Sequence, residues 1–302
     1  MTTGIHHILF ITLSNIGDAV MTTAVLERLH QLYPRAAIDI VADRRSSELF
    51  SHCPYRGRIV HKEKPGGWRR TLELIKTLRR CRYDLIVDLR TDGLAWLLKG
   101  RRRLTKWRHK PYGPHAVQDL IGIIDRINPG QQIPATRLWL AESERQQATH
   151  LLATRSGNRL VALGPGANWE PKIWPLESFR NLARQLTENV DDLVLLGGPG
   201  DRERCGRLAQ EAGFTTINLC GSTTLLEAAA VLQQCRLFIG NDSGLGHLAA
   251  AVGTPTLTLF GPGRPERYHP WGEHSRWLRG AGQDLNQLEV GTVLGCARDM
   301  LA

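Results

Sequence analysis

Short apolar runs alternate with amphipathic helical patterns between residues 160 and 260, and this alternation constrains the fold more than any other feature. It predicts strands at residues 160–163, 193–196, 216–219, 237–240 and 256–260, with helices at 176–186, 201–212, 225–234 and 245–252. Thr224 and Glu227 form a capping box at the start of the helix at 225–234. Strands that alternate with helices in this way favour a parallel sheet with crossover helices.

The first half of the chain repeats this alternation less plainly. It predicts strands at residues 7–13, 38–43, 58–61 and 84–89, a weaker strand at 103–107, and helices at 18–32, 68–80 and 115–127. A chain of 302 residues is long enough for two cores, and Asn128-Pro129-Gly130, followed by a helical stretch at 142–154, marks a boundary. We therefore expect an α/β fold of two Rossmann-like domains, residues 1–140 and 141–302, with a last helical pattern at 285–301 that could pack back on the first domain.

Positive charge is concentrated in the first half of the chain. Residues 1–140 carry 24 lysines and arginines against 12 acids, whereas residues 141–302 carry 15 against 17. The densest cluster has no acid within it and consists of Lys99, Arg101, Arg102, Arg103, Lys106, Arg108 and Lys110. Such a cluster attracts the phosphates of nucleic acids, anionic lipids or anionic sugars, although a solvated charged face would have the same composition.

The sequence offers no sign of export, membrane insertion or metal binding. No apolar run reaches the roughly 20 residues of a spanning helix, and the start of the chain lacks the basic region and cleavage site of a signal peptide. We therefore expect a cytoplasmic protein. The six cysteines show no C-x-x-C spacing, so we expect reduced thiols and neither a zinc cluster nor a redox pair.

In open α/β sheets ligands bind beyond the carboxyl ends of the strands, and the first such place is the segment from Leu13 to Asp18. Gly17 permits a tight turn there, and Asp18 falls in the first turn of the predicted helix, where a negative charge is stabilised. A carboxylate at this position could act as a general base on an attacking hydroxyl group. An ordinary first-turn aspartate is the alternative.

The second place follows the predicted strand at residues 160–163. Gly164-Pro165-Gly166 brings backbone N–H groups close to a ligand, and Lys172 could supply the positive charge that a departing diphosphate needs. Lys172 is also the one lysine between residue 141 and residue 302. A plain surface lysine before a helix start is the alternative.

The third place is Gly240-Asn241-Asp242-Ser243-Gly244-Leu245-Gly246-His247, where an apolar strand runs into a helix rich in small residues. Free N–H groups and the Ser243 hydroxyl make an anion site. Because a carboxylate aimed at a diphosphate would repel it, Asp242 should meet sugar hydroxyls or else cap the helix. His247 could hold a nucleotide or be a satisfied core histidine.

Together these segments resemble the lipopolysaccharide heptosyltransferases of glycosyltransferase family 9, which have the GT-B fold. The matching text is ILFITLSNIGDAVMTTAVLERLHQLYP, GPGANWEPKIWPLESF and GNDSGLGHLAAAVGTPTLTLFGP, followed by Pro270-Trp271-Gly272. The resemblance covers essentially the whole chain. It implies two parallel sheets facing each other across a cleft and an inverting transfer of heptose from ADP-heptose to Kdo or heptose of the lipopolysaccharide inner core, with no cofactor and no obligatory metal.

The resemblance also implies roles for individual residues. Asp18 matches the catalytic base, and the positions that match the donor site are Gly166, Asn168, Lys172, Asp242, Ser243, Gly244, Leu245 and His247. Three features depart from the family's pattern, namely Ser243 in place of threonine, Gly246 in place of a larger residue, and a short N-terminal half. These departures leave the acceptor open.

The acceptor implied by the resemblance, lipid A–Kdo or a core oligosaccharide, is anionic and carried by a membrane. We therefore expect the cluster at residues 99–110 to dock the acceptor or the anionic surface of the inner membrane, and we expect no nucleic-acid partner. Two other interpretations stay open: a sugar-nucleotide epimerase of the same architecture, and a non-catalytic Rossmann-like protein that binds nucleic acid through its basic half.

Overall fold

A computed structural model describes residues 4–62, 67–90, 93–107, 112–127, 132–186, 190–213 and 215–302. The chain forms two compact units, Met1–Trp139 and Leu140–Ala302. Each unit is built around a parallel β-sheet of its own. No helix among these residues has both the length and the apolar character that a membrane span requires.

The first unit contains a five-stranded sheet in the order β3-β2-β1-β4-β5. Its strands are β1 (His7–Ile11), β2 (Ala37–Asp43), β3 (Arg56–Lys62), β4 (Tyr83–Asp88) and β5 (Gly100–Thr105), and its helices are α1 (Ile16–Met21), α2 (Thr23–Leu32), α3 (Gly67–Arg79) and α4 (Ala116–Asp125). The prediction of one helix at residues 18–32 is wrong, since the helix is divided at Thr22. The Thr22 hydroxyl donates to the Ala19 carbonyl (2.6 Å), a side-chain bond that bends helices.

One face of the first sheet is covered by α3 and by a 3₁₀ turn, Leu94–Leu97. Leu9 and Ile86 of the sheet share a hydrophobic cluster with Leu78 of α3 and with Leu94 and Leu98 in and after the turn. The sides of α3 and of the turn that point away from this cluster therefore lie on the same side of the first unit.

The second unit contains a six-stranded sheet in the order β11-β10-β9-β6-β7-β8. Its strands are β6 (Leu160–Gly164), β7 (Asp192–Leu195), β8 (Thr216–Asn218), β9 (Leu237–Asn241), β10 (Thr256–Phe260) and β11 (Ser275–Arg279). Its helices are α5 (Glu142–Leu151), α6 (Leu176–Gln185), α7 (Arg202–Glu211), α8 (Leu225–Gln233), α9 (Gly244–Ala251), α10 (Pro265–Tyr268) and α11 (Val290–Leu301). The strand β11 was not predicted. The helical pattern at residues 285–301 is a 3₁₀ turn, Leu285–Gln287, followed by α11, which packs on α6 and β9.

Both sheets have the strand order that creates a topological switch point. In the first unit the chain leaves β1 toward β2 and β3 and then returns to place β4 on the other side of β1. In the second unit β6 takes the central place, with β7 on one side and β9 on the other. The predicted pair of Rossmann-like parallel sheets is therefore confirmed. Ligands of such sheets bind at the carboxyl ends of the two strands that flank the switch point, which are β1 and β4 in one unit and β6 and β9 in the other.

Candidate functional site

Asp18 lies at the switch point of the first unit, in the first turn of α1. Its side chain is half-buried, and its Oδ2 accepts a hydrogen bond from Nδ2 of Asn15 (2.9 Å). Asn15 is the N-cap residue by backbone conformation, but its side chain makes no capping bond. The Asn15 amide therefore orients the Asp18 carboxylate instead of closing the end of the helix.

Arg90, which sequence reasoning missed, lies across the same switch point. It follows the carboxyl end of β4, and its guanidinium donates to the Ser14 hydroxyl beyond the end of β1. Its backbone N–H donates to Oδ1 of the fully buried Asp88 (3.0 Å). The signal that could have found Arg90 is its place immediately after a predicted strand. A cation from the loop after β4 therefore contacts the loop that leads to Asp18.

A basic cavity opens at the same carboxyl edge, beside the ends of β2 and β3. Its volume is about 320 Å³, and its lining residues are Arg44, Val60, His61, Lys62, Arg70, Thr71, Glu73, Leu74 and Thr77. Three of these side chains are permanent cations and one is an acid. Such a lining favours an anionic group.

At the switch point of the second unit, the exit of β6 requires glycine. A Cβ on Gly166 would lie 2.1 Å from an Asp201 carboxylate oxygen, so a side chain there would force Asp201 to move. Oδ2 of Asp201 accepts the N–H of Gly198 (2.9 Å) and is held in place by that bond. Gly166 is itself buried, and Asn168 is exposed two residues later.

Lys172 and Asp242 form an ion pair, with Nζ 2.5 Å from Oδ2. Lys172 ends a 3₁₀ turn, Glu170–Lys172, and Asp242 follows the end of β9. Asp242 does not cap α9, because the N-cap residue of that helix is Ser243. A diphosphate that recruits Lys172 must therefore share the ammonium group with Asp242 or displace its carboxylate.

Asn241 joins the two loops on either side of the switch point, and sequence reasoning gave it no role. The side chain is fully buried, and its Nδ2 donates to the Pro165 carbonyl (3.0 Å). Its Oδ1 accepts the backbone N–H of Trp174 (3.0 Å), two residues after Lys172. The buried amide thus fixes both the glycine-rich loop and the chain that carries the lysine.

The start of α9 presents donors and a neutral histidine. The Ser243 Oγ is buried and has no hydrogen-bond partner among the described residues, and Gly244 and Leu245 begin the helix behind it. The first N–H groups of a helix have no partner within the helix and suit an anion. Gly246 is explained by packing, since a Cβ there would lie 3.1 Å from Cγ of Pro270.

His247 is buried one turn further into α9. Burial, with smaller contributions from the nearby His269 and Lys172, lowers the pKa of the imidazole to about 4, so the ring is neutral at pH 7. Its Nδ1 has no hydrogen-bond partner among the described residues, so it is not a satisfied core histidine. The second unit therefore brings Lys172, Asp242, Ser243 and His247 together at one corner of its sheet.

The basic cluster of the first unit is only partly a solvated face. Lys99, Arg101, Arg102 and Lys106 are exposed on or beside β5, and β5 is an edge strand. Arg103 is half-buried instead. Its guanidinium donates to the carbonyls of Ala95 (2.9 Å) and Leu98 (2.8 Å) and so holds the 3₁₀ turn Leu94–Leu97. The predicted docking residues Arg108 and Lys110 lie outside the described residues.

The chain has the two Rossmann-like sheets of the GT-B fold. A carboxylate lies at the switch point of the first sheet, and glycines, a lysine and a helix start lie at that of the second. The model of glycosyltransferase family 9 (heptosyltransferase) matches residues 71–297. Because this match covers most of the chain, the chain belongs to glycosyltransferase family 9 and is a glycosyltransferase.

The chain is also similar to individual proteins and solved structures. Lipopolysaccharide heptosyltransferase 2 of Escherichia coli K12 is 28% identical over 306 residues, which cover 90% of this chain and 87% of that protein. A family 9 glycosyl transferase from Veillonella parvula superposes with a TM-score of 0.90 at 22% identity, over 100% of this chain and 98% of the other. The E. coli structure described as ADP-heptose LPS heptosyltransferase II superposes with a TM-score of 0.82 at 25% identity, over 98% of each chain.

Proposed function

We propose that this chain transfers heptose, with inversion, from ADP-heptose to a Kdo or heptose residue of the lipopolysaccharide inner core. The observation that carries the proposal is that Lys172, the start of α9 and the neutral His247 lie together at the switch point of the second unit. That corner offers a cation and free N–H groups to a diphosphate. The name of the E. coli enzyme, which is 25% identical, supports ADP-heptose as the donor.

In the proposed reaction Asp18 is the general base. Its carboxylate takes the proton of an acceptor hydroxyl, the hydroxyl oxygen bonds to the anomeric carbon of heptose, and the bond from that carbon to the diphosphate oxygen breaks. ADP leaves with the electron pair of that bond, on the face opposite the attack, and so the configuration inverts. The bond from Asn15 to Asp18 leaves the second carboxylate oxygen, Oδ1, for the acceptor.

The donor's diphosphate is proposed to lie against Gly166, Lys172, Ser243 and the first N–H groups of α9. Preorganised donors of this kind stabilise the charge that develops on the leaving group. When the diphosphate approaches Lys172, the Asp242 carboxylate is proposed to turn to the sugar hydroxyls. It can accept hydrogen bonds from them without repelling the phosphate groups. Asn168, Leu245 and His247 complete the contacts.

The acceptor is proposed to be lipid A–Kdo or a core oligosaccharide, taken up by the first unit. The basic cavity between β2, β3 and α3 suits its carboxylate and phosphate groups. A lipid-borne acceptor also requires the enzyme to work at the anionic cytoplasmic surface of the inner membrane. The exposed cations Lys99, Arg101, Arg102 and Lys106 suit that surface.

The test is incubation with ADP-heptose and lipid A–Kdo or heptosylated core acceptors, with the product identified by mass. We expect the parent protein to add one heptose and Asp18→Asn to lose at least about 10²-fold in turnover. Glu142→Gln is the matched control, because Glu142 is also a first-turn acid with an amide partner, Gln146 (3.3 Å). Conversion of the free sugar nucleotide without acceptor would instead identify an epimerase.

A further inference from the structure

Large apolar side chains are exposed mainly on the first unit. Among the described residues they are Trp68, Leu72, Trp96, Leu97, Trp107, Tyr112 and, in the second unit, Trp169. Contiguous exposed apolar side chains mark interaction sites in proteins. The set is concentrated on α3, on the turn Leu94–Leu97 and just beyond β5.

Trp96 and Trp107 are held in their exposed positions. The two rings meet edge to face, with their centroids 6.2 Å apart, although Trp96 is 56% exposed and Trp107 is 61% exposed. The Arg103 guanidinium lies 5.7 Å from the centroid of the Trp96 ring while it donates to the carbonyls of the turn. The protein therefore presents an aromatic pair in mutual contact, with the exposed Leu97 next to Trp96 in the chain.

The surroundings of this pair are positively charged. Residues 93–107 contain no aspartate or glutamate, and Lys99, Arg101, Arg102 and Lys106 are exposed in that segment. Tryptophan and basic side chains together have the chemistry of the bilayer interface, where the ring lies at headgroup level and cations meet anionic lipid.

The exposed side of α3 also combines apolar and basic side chains, together with one acid, Glu73. Trp68 and Leu72 are exposed one turn apart, and Lys76 and Arg79 follow along the helix. The Arg69 guanidinium lies 5.5 Å from the centroid of the Trp68 ring. Because α3 and the turn Leu94–Leu97 cover the same face of the sheet, their exposed sides point away from the sheet in the same direction.

We propose that this surface, defined by Trp68, Leu72, Trp96, Leu97 and Trp107 with the exposed cations at residues 99–106, inserts into the headgroup region of an anionic bilayer. The proposal deepens the proposed function, since it rests on a lipid-borne acceptor for its purpose. Single-stranded nucleic acid also binds aromatic and basic surfaces by base stacking. Arg103 covers one face of Trp96, and Trp107 meets it at 82°, so the pair does not form a stacking platform.

The test measures binding to vesicles of phosphatidylethanolamine with phosphatidylglycerol, to vesicles of phosphatidylcholine, and to an oligothymidine. We expect the double variant Trp96→Ala, Trp107→Ala to bind the anionic vesicles at least about 10-fold more weakly than the parent. Lys99→Gln should lose roughly 5-fold at low salt and much less at high salt. Trp169→Ala is the control for an exposed tryptophan of the second unit and should bind as the parent does.

Turnover of a soluble core oligosaccharide separates this proposal from the proposed function. The double tryptophan variant should retain that turnover and its melting temperature, which shows that its fold is intact. Anionic vesicle binding that is unchanged in the double variant overturns the proposal, as does tryptophan-dependent binding of oligothymidine without vesicle binding. A parent that binds vesicles through these tryptophans but transfers no heptose would overturn the proposed function alone.

Discussion

Replacing Asn241 with alanine should weaken both the second unit and its affinity for ADP. The side chain is fully buried, and truncation removes the partners of the Trp174 N–H and the Pro165 carbonyl. A buried polar group left without its partner costs about 1–3 kcal/mol. With both groups affected, we expect the free energy of unfolding to fall by about 2–6 kcal/mol.

The same truncation releases the loops that carry Gly166 and Lys172. Because ADP would then have to order these loops on binding, we expect its affinity to fall about 10-fold, measured by calorimetry at a temperature where the variant is folded. Thermal unfolding with and without ADP gives the stability. Asn218→Ala is the matched control, since Asn218 makes a similar bond to the Cys220 N–H (3.1 Å) but is exposed, and it should cost about 1 kcal/mol or less.

An Asn241→Ala variant whose free energy of unfolding lies within about 1 kcal/mol of the parent, and which binds ADP equally well, would contradict both roles of the amide. Loss of stability without loss of ADP affinity would show that the amide supports the fold but does not position the site. Asn241→Gln, which keeps the amide but lengthens the side chain, should restore neither bond in its present geometry.

Three further predictions follow from the described contacts. Gly166→Ala should reduce ADP affinity by forcing Asp201 to move, whereas Gly206→Ala, in open space on α7, should stabilise the helix by up to about 1 kcal/mol in urea unfolding. The pKa of His247 is about 4 in the folded protein, against an ordinary 6.5, so its neutral ring contributes stability that is complete above pH 6.5 and is lost as the pH falls toward 4. Over this window the free energy of chemical unfolding should therefore fall by roughly 3 kcal/mol more in the parent than in His247→Gln. Burial raises the pKa of Asp39, but hydrogen bonds and charge from Arg58 outweigh burial, so the net effect is a lowered pKa. Asp39→Asn should therefore reduce the free energy of unfolding by about 2 kcal/mol at pH 7, and by progressively less as the pH falls below the ordinary 3.8.

The periodic part of the fold was predictable from sequence. In the second half each predicted strand and helix is present, because apolar runs of strand length and amphipathic helical stretches are local signals. The strand β11 was missed because its sequence, Ser-Arg-Trp-Leu-Arg, is largely polar and suits an edge. The break at Thr22 depends on a hydroxyl contact that a helical pattern does not reveal.

The residues of the site could be predicted from sequence more readily than the contacts between them. Lys172 and Asp242 are 70 positions apart, so their ion pair becomes visible only when strand order brings β6 and β9 together. Asn241 was hidden for the same reason, since its two partners belong to another loop. The sequence pattern predicted Arg103 to be one of several surface cations, although its guanidinium donates hydrogen bonds to the carbonyls of Ala95 and Leu98.

In the proposed reaction the second unit holds ADP-heptose, and Asp18 of the first unit acts only on the acceptor. Calorimetric binding of ADP-heptose without acceptor tests it most directly, in the parent, Asp18→Asn and Lys172→Met. We expect a dissociation constant for Asp18→Asn within about 3-fold of the parent and a loss of donor affinity of at least about 10-fold for Lys172→Met. Equal loss of donor binding in Asp18→Asn and Lys172→Met, or none in Lys172→Met, would contradict it.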